Sequence, residues 1–552
     1  MAGVSMSGEQ TGGDVVVQAL KAAGVDTVFG IISIHNLPIY DAIARQGGIR
    51  LITNRSEPGA VNMADGYARA TGKLGVAITS TGTGAGNAAG ALIEAQTAGT
   101  PLLHLTGQID SPYLDQGKMY IHEAKDQLSM LKAISKAAYR VRSSDSLAST
   151  LQLAIAESLT GPSGVVSVEI PIDIQKSQTN TVEIAIRNLC SFFPIKEDIE
   201  KAENLLLAAK RPLIWAGSGV ISSTTHQWLT KLAEILGAAV LTSQAGRGAI
   251  PEDHPNCIGF YGLNPAVREF IQSCDLVLAV GTKLRGQETG NWKLPLPKNI
   301  IQIDVDPLAL GRNYPIKAGI AAAAEITLIN LDIALEGKTK PDPAFLEEIA
   351  QVKKACQENV RRTLGPYAQI CDDINATISR DTIMVRDITI AGSTWASRLI
   401  PAYAPRQQIH ASGGGIGQGL QMAIGAKLGQ PNKPVVAICG DGGFMVNCGE
   451  MATAAQENVA LVVLLFNDGG YGVIRNIQDK SYPGRHFGVD LQAPDFMKLA
   501  EAFGWEGWRV KSTTEFRGAF EKALACGRPA MLEIDMTAIG PYAVPFGGPP
   551  SV

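Results

Sequence analysis

The chain is poor in the features that mark several other kinds of protein. Its charges nearly cancel, with 48 Lys and Arg against 52 Asp and Glu for a net of −4. That leaves no basic footprint for nucleic acid or for an acidic membrane surface. Nowhere do about 18 apolar residues follow one another, so no membrane-spanning helix is expected. The first stretch, Met1 to Gly13, is rich in Gly and Ser and lacks a basic segment followed by an apolar one. No secretory leader is read there, and the cytoplasm is the expected location. The eight cysteines stand at 190, 257, 274, 356, 371, 439, 448 and 526, with no Cys-x-x-Cys pair. A disulfide framework is therefore not expected, and free thiols in a reducing compartment are the simplest account.

What the chain does have is length, apolar residues and glycine: 552 residues, 45% hydrophobic, 59 Gly. That is too long for one core and predicts about three domains of ordinary size. Strand and helix patterns alternate in three blocks. Buried strands are predicted at Leu74 to Thr79, Pro101 to Thr106 and Val165 to Ile174, then at Pro212 to Ala216, Ala238 to Thr242, Asp275 to Val280 and Ile300 to Val305. The last block holds Thr382 to Val385, Pro434 to Cys439, Ala460 to Phe466 and Pro529 to Ile534. Polar sequence from Gln175 to Glu197 and a charged, Pro-containing exit at Lys338 to Pro343 separate the blocks. The alternation predicts an α/β protein of three doubly wound, mainly parallel sheets, the first and third of them structural cousins.

Two strand ends carry the most information. Val435 to Cys439 closes in Gly440-Asp441-Gly442, and Leu461 to Phe466 closes in Asn467-Asp468-Gly469-Gly470. An open α/β sheet places its ligand at such carboxyl ends. The two aspartates are 27 residues apart, room for a helix and a strand, so both ends can reach one point. A pair of carboxylates there suits Mg²⁺, which takes one or two of them together with phosphate oxygens. Either Asp alone reads first as an ordinary strand-end residue, and it is the pair that reverses the reading.

The pair of motifs resembles the magnesium–diphosphate signature of thiamine diphosphate (ThDP) enzymes. Over nearly its whole length the chain is similar to the superfamily of acetolactate synthases, 2-oxo acid decarboxylases and benzaldehyde lyase. The family pattern ends in two Asn, and Asp468 stands where the second would be. The resemblance implies Asp441, Asp468 and the Gly470 carbonyl as metal ligands. It also implies that Gly440, Gly442, Gly443, Tyr471, Gly472 and Val473 line the diphosphate side. The implied domains are a pyrimidine-binding one (1–182), a central nucleotide-binding-like one (195–338) and a diphosphate-binding one (365–552).

In Asn54-Arg55-Ser56-Glu57-Pro58-Gly59, Glu57 reads by itself as a dipole partner at a helix start. The longer string resembles the family's glutamate motif, which implies that Glu57 shares a proton with the cofactor's pyrimidine nitrogen. In Ser412-Gly413-Gly414-Gly415-Ile416-Gly417, Ile416 matches the apolar wedge beneath the bent cofactor and the Gly414 carbonyl matches an acceptor for its aminopyrimidine. Gly82-Thr83-Gly84-Ala85-Gly86-Asn87 matches a turn facing the substrate side.

Above that turn the resemblance places His35 and His122, with Gln108 as a further polar candidate. Histidine there can hold or move a proton. Acetolactate synthases carry different residues at both histidine positions. They have a Trp where Ile477 stands, and pyruvate decarboxylases an acid where Ile474 stands. Both Ile are also ordinary core residues by type. The expected activity is ThDP- and Mg²⁺-dependent decarboxylation of a 2-oxo acid, with carboligation open. The alternatives are a 2-hydroxy ketone or 2-hydroxyacyl-CoA lyase or ligase, and a regulatory or nucleotide-binding homologue without catalysis. Ile303-Asp304-Val305-Asp306 is placed to meet an adenosine, yet Gly281-Thr282-Lys283-Leu284-Arg285 lacks the acidic run found near FAD in acetolactate synthases, so FAD or ADP is not favoured. A homodimer at the least, with a tetramer open, is implied.

Overall fold

Each predicted strand carries too many Val, Ile, Leu and Ala to leave a face in water, and the computed structural model places these runs inside three six-stranded sheets. The structure describes residues 10–179, 184–186, 192–222 and 224–548. Cys190, part of the predicted boundary at 175–197, and the outer limits of the predicted first and third domains lie outside the described residues.

The first sheet comprises β1 (Thr27–Gly30), β2 (Arg50–Thr53), β3 (Gly75–Thr79), β4 (Leu102–Gln108), β5 (Ala137–Arg140) and β6 (Val165–Pro171), in the order β2-β1-β3-β4-β6-β5. The second holds β7 (Pro212–Ala216), β8 (Ala239–Thr242), β9 (Cys257–Gly259), β10 (Leu276–Val280), β11 (Asn299–Asp304) and β12 (Ala318–Ala321), in the order β9-β8-β7-β10-β11-β12. The third holds β13 (Ile383–Arg386), β14 (Gln408–His410), β15 (Val435–Gly440), β16 (Val462–Asn467), β17 (Glu506–Val510) and β18 (Ala530–Asp535), in the order β14-β13-β15-β16-β18-β17. All pairings within these sheets are parallel.

Parallel sheets need cover on both faces. The central sheet shows it residue by residue: Ile214 and Leu278 join one apolar cluster, while their neighbours Leu213, Trp215, Val277 and Ala279 join another. One predicted strand runs too far. It stops at Pro171, which has no N–H to continue the ladder, and Ile172–Lys176 is helical, burying Ile172 and Ile174 from the helix.

The chain divides into two compact units. One contains the residues up to 190 together with 411–430 and 447–459; the other contains the remainder. Two pieces of the third sequence block thus pack with the first. Among the described residues no helix is long and apolar enough to cross a membrane, and every described cysteine is free.

Candidate active site

Helix α1 (Glu57–Thr71) starts just past the carboxyl end of β2, and Ser56 caps it by accepting from the Gly59 N–H at 3.0 Å. A second carboxylate braces this start. Glu450, 1% exposed, accepts from the backbone N–H groups of Arg55 (3.1 Å) and Ser56 (3.0 Å), and from the hydroxyls of Ser56 (3.0 Å) and Thr453 (2.6 Å). Glu57 itself is half-buried and accepts from Asn87 Nδ2 at 3.2 Å. Asn87 belongs to α2 (Thr83–Ala98), whose residue Gly84 faces Glu57: a Cβ there would stand 3.2 Å from Oε1.

The turn before α2 needs glycine. Gly82 has φ +59°, and any side chain on it would overlap the His122 carbonyl oxygen. His122 itself has φ +64°, a conformation costing a non-glycine residue about 1 kcal/mol. His35 is buried, 5.3 Å from His122 between ring centroids, with the rings edge to face. Burial first and the neighbouring His122 second push the His35 pKa down, so the imidazole is neutral, and its buried Nδ1 has no hydrogen-bond partner.

Gln108 is placed differently. It lies inside the protein with its amide committed, accepting from Thr81 Oγ1 (3.0 Å) and Ile109 N–H (2.8 Å) and donating to Glu169 (3.3 Å). Gln127 mirrors it, accepting from Thr81 Oγ1 (2.9 Å) and the Gly82 N–H (2.7 Å) and donating to Glu169 (3.0 Å). Arg140 pairs with the buried Glu169. These two amides hold the Gly82 turn from below.

In the same compact unit, the Gly-rich segment leads to α3 (Gly419–Gly429), which packs on α1. Gly414, with φ +84°, is exposed, and Ile416 is 37% exposed, unusual for an isoleucine so close to a core helix. The contact between the helices is backbone on backbone. A Cβ on Gly66 would overlap the Met422 carbonyl oxygen, and one on Gly425 that of Met63.

In the other unit, β15 ends at Gly440, and Asp441, Gly442 and Gly443 form the buried start of the helix Asp441–Val446. Burial pushes the Asp441 carboxyl up to about 6, Asp468 adds repulsion, and backbone hydrogen bonds from Gly442 and Asp468 offset part of it. Asp468 follows β16. Burial raises its pKa too, Arg475 opposes the shift, and its buried Oδ1 has no partner. Arg475 donates to the carbonyls of Asp468 (3.3 Å) and Gly469 (3.4 Å) and pairs with Asp490 at 2.9 Å. Tyr471 N–H donates to the Val489 carbonyl at 2.8 Å. Helix α4 (Gly472–Ser481) begins with Gly472, where a Cβ would occupy the place of Asp468 Oδ2; Val473, the next residue, is half-buried. The Gly470 carbonyl faces Gly442, 3.1 Å from where its Cβ would be. A cleft of about 310 Å³ opens at Asp468 between Asn476 and the segment Met536–Pro545.

Three stretches match successive domains of one family: thiamine pyrophosphate enzyme N-terminal TPP binding domain over residues 10–130, central domain over 199–331, and C-terminal TPP binding domain over 391–534. The chain is 30% identical to a probable acetolactate synthase large subunit of Methanococcus aeolicus, covering 95% of this chain and 91% of that one. It is 31% identical to the acetolactate synthase large subunit of Haemophilus influenzae, covering 93% and 92%. To a probable 2-ketoarginine decarboxylase of Pseudomonas aeruginosa it is 32% identical, covering 90% and 88%. The chain belongs to the thiamine pyrophosphate enzymes. It is a ThDP-dependent enzyme of carbon–carbon bond chemistry.

The residues of this ThDP enzyme fit a diphosphate held through a cation. The buried carboxyl of Asp441 is repelled by the half-buried Asp468, whose Oδ1 is unsatisfied and whose Oδ2 fits where a side chain on Gly472 would stand. Among the described residues no group of three or more His, Cys, Asp and Glu is placed to hold a metal ion by itself. A hard divalent ion there would need oxygens beyond the protein's side chains, as a diphosphate provides. The sequence reading missed Glu450, Gln127 and Glu169. A glutamate or glutamine is by type a surface residue, and only the small residues around Glu450, in Cys448-Gly449-Glu450-Met451-Ala452, hinted otherwise.

Proposed function

We propose that this enzyme decarboxylates a 2-oxo acid in the cytoplasm with ThDP and Mg²⁺, and passes the resulting fragment to a proton or to a second carbonyl compound. The observation that carries the reading is the buried His35, edge-on to His122 beside the Gly82 turn. The relative named a 2-ketoarginine decarboxylase supports the substrate class. ThDP, when bound, supplies the nucleophilic carbon and the electron sink.

The chain's own residues do the rest. Asp441, Asp468 and the Gly470 carbonyl would hold Mg²⁺ and through it the diphosphate, with Gly440, Gly442, Gly443, Tyr471, Gly472 and Val473 lining that side. Asp468 in place of the family's Asn adds a negative charge that the ion offsets. Glu57 holds a proton against the pyrimidine ring, and Asn87 keeps its carboxylate oriented. Ile416 would offer the cofactor an apolar support and the Gly414 carbonyl would be an acceptor for its amine. His35, neutral at pH 7, holds or moves a proton at the substrate's carbonyl oxygen, and His122 shares that task. Gln108 acts from beneath by fixing the turn.

A lyase acting on a 2-hydroxy ketone or a 2-hydroxyacyl-CoA is the second reading, favoured by Ile474, which is 48% exposed and makes the approach apolar. In neither reading does the central domain carry a flavin, which a visible spectrum of the purified protein checks. The acting species is a homodimer or larger, measurable by light scattering. The deciding experiment is an NMR-monitored panel of 2-oxo acids with and without aldehyde acceptors. Release of CO₂ from a 2-oxo acid supports the first reading; two carbonyl products without CO₂ replace it with the second.

A further inference from the structure

One buried carboxylate has no part in the chemistry above. Glu94 lies in the last half of α2, 1% exposed, among Ala, Leu and Ile. A carboxylate in such a place is costly unless its oxygens are matched. Here they are matched by main chain: the N–H groups of Ser412 and of Gly413, the latter at 2.7 Å, both donate to it. Arg69 of α1 stands 3.9 Å from Oε1, and the same guanidinium reaches Asp65 at 3.2 Å and Ser412 Oγ at 3.2 Å. Asp65 in turn accepts from Thr100 Oγ1 at 2.5 Å, just beyond the end of α2.

The network therefore ties three pieces of one compact unit: the helix that begins with Glu57, the helix whose first turn faces Glu57, and the segment that carries Gly414 and Ile416. The fit at the segment is close. A Cβ on Gly413 would stand 2.8 Å from Glu94 Oε2. Burial raises the Glu94 pKa, Asp65 pushes in the same direction, and Arg69 and the two N–H groups pull it back.

We propose that Glu94 is a positioning residue: as a carboxylate it clamps the backbone at Ser412–Gly413 and so sets the height of the Gly414 carbonyl and of Ile416 against the helix bearing Glu57. This rests on the reading of Gly414 and Ile416 as cofactor contacts. An acceptor with two oxygens is what the two N–H groups require. Glutamine offers one oxygen and turns an NH₂ toward the other N–H, leaving a buried donor unmatched.

The test is Glu94→Gln, with Gly413→Ala as the second variant that presses the clamp from the opposite side. In the apoprotein, amide hydrogen exchange over residues 411–418 should speed up by about tenfold or more while α2 keeps its protection. In the loaded enzyme, ThDP affinity should fall and C2–H exchange of the bound cofactor should slow about tenfold, with the secondary-structure spectrum unchanged. If both variants leave the 411–418 amides and C2–H exchange as in the wild type, the proposal is overturned. A loss of protection spread through α2 in both variants makes Glu94 a fold residue and overturns it too. Ile416→Ala separates the two layers of argument. If it leaves C2–H exchange unaltered while Glu94→Gln frees the 411–418 amides, the clamp stands and the reading of the loop as a cofactor contact fails.

Discussion

The first and third sheets have the same strand order, and the crevice where that order reverses lies in one between β1 and β3 and in the other between β13 and β15. Equal topology places candidate residues at equivalent carboxyl ends. The chemistry at the two ends differs. The first gathers a half-buried glutamate at a helix start and a buried neutral histidine; the third gathers two carboxylates that repel each other. The central sheet, in the other doubly wound order, has a close-packed glycine contact at its reversal, Gly219 against Gly281. The fold supplies a location, and a few side chains with their burial set what chemistry that location can support.

The sharpest way to break this comparison is Glu57→Gln. If the first sheet's end is the proton-handling one, the amide should slow C2–H exchange of bound ThDP by about 10²-fold or more while leaving Mg²⁺ and ThDP affinity near normal. An unchanged exchange rate removes Glu57 from its role. The histidines test the same end one step later. Single alanine variants of His35 and His122 should keep C2–H exchange and lose turnover by roughly 10²-fold. Full turnover by the double variant reduces both to structural residues.

The third sheet's end is probed by removing a charge without removing an oxygen. Asp468→Asn should retain Mg²⁺–ThDP binding, whereas Asp468→Ala deletes the proposed ligand and should weaken it by roughly tenfold or more. Wild-type affinity in calorimetry for the alanine variant would show that this is not a metal end.

A further effect concerns the interior of β4. His104 is buried between Thr79 Oγ1 (2.8 Å) and Ser167 Oγ (3.1 Å), and burial pushes its pKa down to about 3. Since the folded value lies below the unfolded one, the neutral form's contribution is complete above about pH 6.5 and is lost as pH falls toward 3. Between pH 7 and 5 the loss should be about 2 kcal/mol. Denaturant titrations of His104→Gln across that range should lack this slope; an unchanged slope would assign the acid sensitivity elsewhere.

Much of this was legible in the sequence for a physical reason: a strand buried on both faces is written as a continuous apolar run, and β3, β4, β7, β10, β11, β15, β16 and β18 were each read within about two residues of their bounds. Short strands with small or polar residues escaped, among them β9 (Cys-Ile-Gly), β12 (Ala-Gly-Ile-Ala) and β17 (Glu-Gly-Trp-Arg-Val), because an edge strand has one neighbour and less to bury. At the site, Asp441, Asp468 and Glu57 stood out through the strings around them. Glu94, Glu450 and Glu169 did not, since what keeps a carboxylate inside is a set of donors brought from elsewhere in the chain: Ser412 and Gly413, Arg55 and Ser56, Gln108 and Gln127. Gln108 shows the converse, a polar residue read as a pocket candidate whose amide the structure shows bonded to Thr81 and Ile109.

The contact of α1 with α3 at Gly66 and Gly425 has a further consequence. Where helices meet through side chains, their separation drifts as those side chains are exchanged over generations. Here carbonyl oxygen lies where a methyl group would go, so the gap is set by atoms that every amino acid shares. Mutation can widen it or leave it alone, and has no means of making a finer adjustment. The spacing between the helix that begins at Glu57 and the helix that follows Ile416 thus behaves like a machined part, open to failure and closed to gradual tuning.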